Sequence, residues 1–231
     1  GRPMKLMAID ASTEACSAAL LLGDEVLERY EVAPRRHAEL LLPMLESLFQ
    51  EAGLSLAQMD VLAFGRGPGA FTGLRIAAGV AQGIALGADL PVVPVSSLAA
   101  LAQGMYREQG TQRVLAGIDA RMGEVYWGAY CLGSSGVMEA PGGECVCPPA
   151  VVPLPPGEGW TGAGTAWQSY GDQLAECLGT RLAAYEGGRF PRARDIALLG
   201  AQLHRSGTAV DADQALPVYL RDNVVARRPG D

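Results

Sequence analysis

Two short stretches of this 231-residue chain repeat one another, and the repeat constrains the fold more than any other feature. Ala8–Leu20 reads AIDASTEACSAAL, and Gly117–Tyr130 reads GIDARMGEVYWGAY. In each copy, Ile-Asp-Ala ends an apolar strand, a short polar turn follows, and a second strand departs. Two copies of a strand-turn-strand opening predict two lobes of related topology. The intervening segments fit. Leu6–Ile9, Cys16–Leu22 and Glu25–Val32 read as strands, with a Gly23-Asp24 hairpin turn. A helix over RRHAELLLPMLESLFQEAG stops at Gly53. Ser55 is placed to cap a short helix, DVLAFGRG is a buried strand, and a helix is expected over Thr72–Leu86 with Thr72 as its cap. A short strand in LPVVPVSS leads to a helix capped by Ser96 or Ser97. The Pro/Gly-rich stretch from Met138 to Trp160 is read as an irregular excursion with one edge strand. Asp172–Leu178 is read as a short helix, RARDIALLGAQLHRSG as a helix ending at Gly207, and ALPVYLRD as extended. Strands followed by helices, twice over, make the chain α/β. The expected divisions are 4–103, 104–190, and a 191–231 segment returning toward the first lobe.

Composition narrows the function. The net charge of −7 argues against a broad nucleic-acid footprint. Lys5 is the only lysine, so no Walker-type lysine follows a glycine loop. Five cysteines and two histidines, His37 and His204, offer no metal spacing; Cys145-Val-Cys147 has no second pair, and no metal site is expected. The first three residues resemble a cloning remnant. No signal-like start or membrane-length apolar run is read, and a cytoplasmic protein is expected.

Two helices carry an apolar excess. On a wheel, the apolar residues of Ala38–Glu51 cover an arc of about 200°, wider than one sheet requires. Pro43 should bend that helix or delay its start. From Gly73 to Ala88 only Arg75 and Gln82 are polar, with Ala77, Ala81 and Ala85 on one small ridge and Gly79, Gly83 and Gly87 on another. Each interior glycine costs about 1 kcal/mol relative to alanine, so close approach of another backbone is the expected benefit. A second polypeptide is expected there, against the alternative of burial in one monomeric core. Gly65–Gly79, GRGPGAFTGLRIAAG, opens the second helix. Its amides, helped by Arg75, could hold an anion, or its glycines could form a rigid turn. Asp10, Ser12 and Thr13 form a polar turn that could present groups to a nucleotide phosphate or serve only as a hairpin.

Six stretches, in order and nearly the full length, resemble the bacterial TsaB (YeaZ) family: LMAIDASTEACSAAL, RHAELLLPMLESLF, GRGPGAFTGLRIAAGVAQGIA, PVVPVSSLAALA, IDARMGEVYWGAY and ALPVYLRD. The resemblance implies a two-lobed actin/Hsp70/sugar-kinase-like fold. It implies an accessory subunit that dimerises with the catalytic paralogue TsaD, cooperates with the ATPase TsaE, and helps form threonylcarbamoyladenosine at position 37 of tRNAs reading ANN codons. A homodimer is implied when TsaD is absent, and tRNA contact only through the complex. The implied partner interface is Leu41, Leu42, Leu45 and Phe49 with Leu74, Ala77, Ala78 and Ala81, rimmed by His37, Glu39 and Arg75. The paralogue's His-x-x-x-His metal pair is absent, and Arg121 and Met122 stand where an active kinase of this fold wants small residues. No catalytic residue and no intrinsic cofactor are therefore expected, with ATP or ADP lodging at most at the partner interface. The alternatives are an ATP-dependent phosphotransferase using Asp10, Ser12 and Thr13, or a peptidase acting on the paralogue.

Overall fold

A computed structural model describes residues 1–221 and divides the chain into two units. Unit 1 comprises Gly1–Ala100 and Pro191–Pro217; unit 2 comprises Leu101–Phe190 and the chain from Val218. The division falls at Ala100/Leu101, inside a helix, rather than at 103/104. Of the 191–231 segment, residues 222–231 lie outside the described residues.

Unit 1 is built on β1 (Lys5–Asp10), β2 (Ala15–Leu22), β3 (Glu25–Val32), β4 (Val61–Gly67) and β5 (Val92–Ser96), in the spatial order β3-β2-β1-β4-β5. The β1/β2 and β2/β3 pairs are antiparallel, while β1/β4 and β4/β5 are parallel. Side chains alternate across the central strands, as the pleat requires. Met7, Ile9, Leu62 and Phe64 join the core under α1 (His37–Ala52) and α2 (Phe71–Ala88). Leu6, Ala63 and Val95 meet α5 (Ala193–Arg205), where Gly200 lets the helix backbone close on Ala63. A Cβ at Gly200 would stand 2.7 Å from that of Ala63.

Unit 2 opens with part of α3 (Ser97–Gln109), then β6 (Arg113–Asp119), β7 (Val125–Leu132), β8 (Met138–Glu139), β9 (Glu144–Cys147), β10 (Trp160–Ala163), α4 (Thr165–Leu178) and β11 (Leu182–Glu186). Its sheet runs β11-β10-β6-β7-β8, with β9 also on β7. The repeat is structural: β6/β7 is an antiparallel opening pair with a parallel partner, β10, on the other side of β6, as β4 is for β1. This is the two-lobed actin/Hsp70/sugar-kinase-like architecture.

Local signals act as expected at Gly53, which is left-handed at φ 65° and closes α1, and at Ser96, whose Oγ accepts from the amides of Leu98 and Ala99. Several details differ from expectation. Pro43 lies inside α1, whose start at His37 is not delayed; the proline removes the amide that would donate to the Glu39 carbonyl. α2 begins at Phe71 after Ala70, so Thr72 is not its cap. The excursion holds two short strands rather than one, α4 starts seven residues earlier than Asp172 at Thr165, and β10 and β11 are additional. Residues 215–219 of ALPVYLRD are irregular instead of a strand. At 18 residues and mean hydropathy 1.2, α2 meets the length and composition of a membrane span. Here its Leu74, Ala77, Ala78, Ala81 and Ala85 are buried in the unit 1 core.

Candidate functional site

The β1–β2 turn is sealed by the glycine loop that follows β4. The Asp10 carboxylate oxygens each lie 3.0 Å from Ser12 Oγ, which donates to them, and the Ser12 amide is 3.4 Å from Oδ2. Three glycines spaced four apart press against this turn. A Cβ at Gly65 would fall 1.9 Å from Asp10 Oδ1, one at Gly69 2.2 Å from the Ser12 carbonyl oxygen, and one at Gly73 1.9 Å from that of Ala11. The Ala70 amide donates to the Ser12 carbonyl at 2.9 Å. His37 Nε2 donates to the Thr13 carbonyl at 2.6 Å, since a carbonyl can only accept. Asp10 and Ser12 have no exposed surface, and burial pushes the Asp10 carboxyl up to about 7, against the lowering effect of its bonds to Ser12.

In this arrangement Asp10 and Ser12 are fully buried and Thr13 is 7 % exposed, so the turn offers a nucleotide phosphate little surface. The Ser12 hydroxyl is bonded to Asp10, and Thr13 Oγ1 accepts from the Ala15 amide at 3.4 Å. Gly65, Gly69 and Gly73 admit the turn's backbone and carboxyl, which is the close approach a rigid turn needs. Among the described residues no group of three or more His, Cys, Asp or Glu could hold a metal ion.

The helix face is divided differently from the sequence reading. Leu41, Leu45, Leu74, Ala77, Ala78 and Ala81 lie in the chain's own core, at most 5 % exposed, so they can back a contact without making one. His37 is likewise buried and is a tie to the turn instead of a rim residue. Leu42 is 53 % exposed, Phe49 is partly buried, and Glu39 and Arg75 are exposed. Glu39 pairs with Arg36, which holds its carboxyl below the ordinary range, while Arg75 lies over the Phe71 ring at 5.7 Å. Sequence reasoning missed Phe71 and Leu86, which are 42 % and 70 % exposed, and the half-buried Ile76, Val80 and Ile84 between them. Gly79, Gly83 and Gly87 are exposed too, and a Cβ at any of the three would meet nothing within 4 Å. The spacing of that ridge was visible in the sequence; which ridge faces outward was not.

Comparisons with known proteins show the family. The profile of the TsaD family, described as tRNA N6-adenosine threonylcarbamoyltransferase, matches residues 25–227. The chain is 43 % identical to tRNA threonylcarbamoyladenosine biosynthesis protein TsaB of Escherichia coli (strain K12), covering 98 % of this chain and 99 % of that protein. TsaB of Haemophilus influenzae is 52 % identical over 54 % of this chain and 52 % of its own. The solved structure of YeaZ from Pseudomonas aeruginosa superposes with a TM-score of 0.86 at 50 % identity, covering 94 % of this chain and 100 % of that one. From sequence and fold together, the chain belongs to the TsaD family and, within it, to the TsaB (YeaZ) proteins of tRNA threonylcarbamoyladenosine biosynthesis.

Proposed function

We propose that this chain is a non-catalytic subunit that docks on TsaD through the outward face of α1 and α2 and activates it. The observation that carries this reading is the Gly79–Gly83–Gly87 ridge. In the isolated chain these glycines accommodate nothing, yet each costs about 1 kcal/mol of helix stability. A partner backbone crossing at the ridge supplies the missing benefit, and Leu42, Phe71 and Leu86 add apolar area beside it. On this reading the chain forms a homodimer through the same face when alone. TsaE acts on the assembled complex in the cytoplasm, and any ATP or ADP lodges at the shared interface, because the chain's own Asp10 turn is closed. The net charge of −7 leaves tRNA contact to the partner.

Leu45 and Ala81 are buried and would report on folding alone. The test is therefore Leu42→Arg combined with Gly83→Arg, both at exposed positions. The variant is expected to keep its far-ultraviolet circular dichroism and, at dilutions where both chains are monomeric, to melt no lower than the parent. Its affinity for TsaD should fall at least ~100-fold, about 3 kcal/mol, and threonylcarbamoyladenosine formation should fall with it. Undiminished binding by a folded variant refutes the reading. Turnover of ATP by the purified chain without TsaD would restore the phosphotransferase alternative.

A further inference from the structure

Gln82 is a polar exception in α2, since between Gly73 and Ala88 only Arg75 is polar besides it. Its side-chain amide is engaged within unit 1, where Nε2 donates to the Ala215 carbonyl, 133 residues away in sequence, at 3.1 Å. That carbonyl belongs to a strap, residues 210–216, that follows α5. Val210 pairs with Val92 of β5 through two backbone hydrogen bonds of 2.8 and 2.7 Å, each amide donating to the other's carbonyl. A single 3₁₀ turn, Ala212–Gln214, comes next, and Ala212 and Ala215 are buried in the core that α2 joins. Leu216, the residue after the anchored carbonyl, is 59 % exposed. At about 100° per residue, Gln82 stands on the border of the buried face of α2. Ala78 and Ala85 lie about 40–60° to one side of it, and the exposed Leu86 and Gly79 about 40–60° to the other. Leu86 is one turn from Gln82 and Leu216 one peptide from its acceptor, so both exposed leucines flank one amide.

We propose that this strap is one wall of the surface on which TsaD docks, with Leu216 as a contact residue and Gln82 as the residue that positions it. The inference rests on the docking reading above and adds to it a contact from the far end of the chain. A backbone crossing the Gly79–Gly83–Gly87 ridge carries side chains to both sides of it. On the Gln82 side, Leu86 and Leu216 offer the apolar area that those side chains would cover. Asp211 and Asp213 are exposed on the same strap and put two carboxylates at its rim. The partner surface that fits is therefore an apolar patch edged by arginine or lysine. The Gln82 amide is suited to positioning because the strap has little else to fix its end: one backbone pair and two alanines hold the rest.

The experiment titrates TsaD with full-chain Leu216→Arg and Gln82→Met, beside the Leu42→Arg/Gly83→Arg pair. Leu216→Arg is expected to keep the circular dichroism of the parent and to bind TsaD at least ~10-fold more weakly. Should it unfold, Leu216→Ala, which only removes exposed apolar atoms, decides the matter with a loss of about threefold or more. Gln82→Met keeps the side-chain length but cannot donate. It should speed hydrogen exchange at the Val210 amide and weaken TsaD binding, with no further loss when added to Leu216→Arg. A Gln82 that serves the fold alone would give the same loss in either background, which overturns its positioning role. If the Leu42→Arg/Gly83→Arg pair weakens binding and folded Leu216→Arg does not, this inference falls and the docking reading stands; if neither weakens it, both fall. Loss of self-association with TsaD affinity unchanged would assign the strap to a contact between copies of this chain and overturn the proposal.

Discussion

Alanine at both Gly79 and Gly83 should stabilise the chain at dilutions where it is monomeric, and weaken its complex. Both glycines lie in the interior of α2 with negative φ, and an added Cβ at either meets no atom within 4 Å. The substitution therefore removes a helix penalty of about 0.8–1.0 kcal/mol per site with no steric cost, about 2 kcal/mol in all. For a chain of this size that corresponds to a rise in Tm of roughly 4–8 °C. Gly73→Ala is the internal control. It sits in the same helix and gains the same propensity, but its Cβ would stand 1.9 Å from the Ala11 carbonyl oxygen, which is backbone and cannot swing aside. That overpacking costs about 3 kcal/mol, so the net change is destabilising by about 2 kcal/mol. Differential scanning calorimetry on the three proteins measures the first effect. Titration with TsaD measures the second, where two methyl groups in a backbone crossing should weaken affinity about tenfold. If the double variant melts no higher than the parent, the ridge is already covered in the isolated chain. If it melts higher and binds TsaD unchanged, the crossing is elsewhere and the docking reading fails.

Two further outcomes concern unit 1 alone. The unfolded Asp10 carboxyl loses its proton near 3.8 and the folded one near 7. Between these values the unfolded chain binds fewer protons, so the Asp10 contribution is fully present below about pH 4 and is lost as pH rises through 7. Urea midpoints across that range should show this decline, and Asp10→Asn should flatten it; an identical slope in the variant would show that another group titrates. Glu28 is nearly buried and accepts from Arg192 Nε and Nη2 and from the Arg194 amide, while the Arg192 guanidinium lies 4.0 Å from the centre of the Tyr30 ring. Arg192→Ala strands that carboxylate between β3 and the start of α5 and should cost about 2 kcal/mol by denaturant titration. A change within 0.5 kcal/mol would mean that water replaces the guanidinium.

What the sequence determined by itself was local. The alternation and turn residues of Lys5–Val32 place three strands, Gly53 ends α1 because only a residue tolerant of positive φ fits there, and Ser96 caps α3 with its own hydroxyl. The Ile-Asp-Ala repeat reports the two-lobe architecture because each lobe starts with the same hairpin. β10 and β11 escaped because strands of four and five residues carry too few positions for a period, and the edge strand β11 is largely solvent-facing. Only the tertiary structure decided which glycines touch what. Gly65, Gly69 and Gly73 face a turn more than fifty residues away in sequence, and Gly79, Gly83 and Gly87 face open space, although all six read alike in the chain. The same distinction puts His37 inside and Leu42 outside one helix. A sequence records the spacing of residues along a helix, but the direction each ridge faces is set by the distant sheet on which that helix packs.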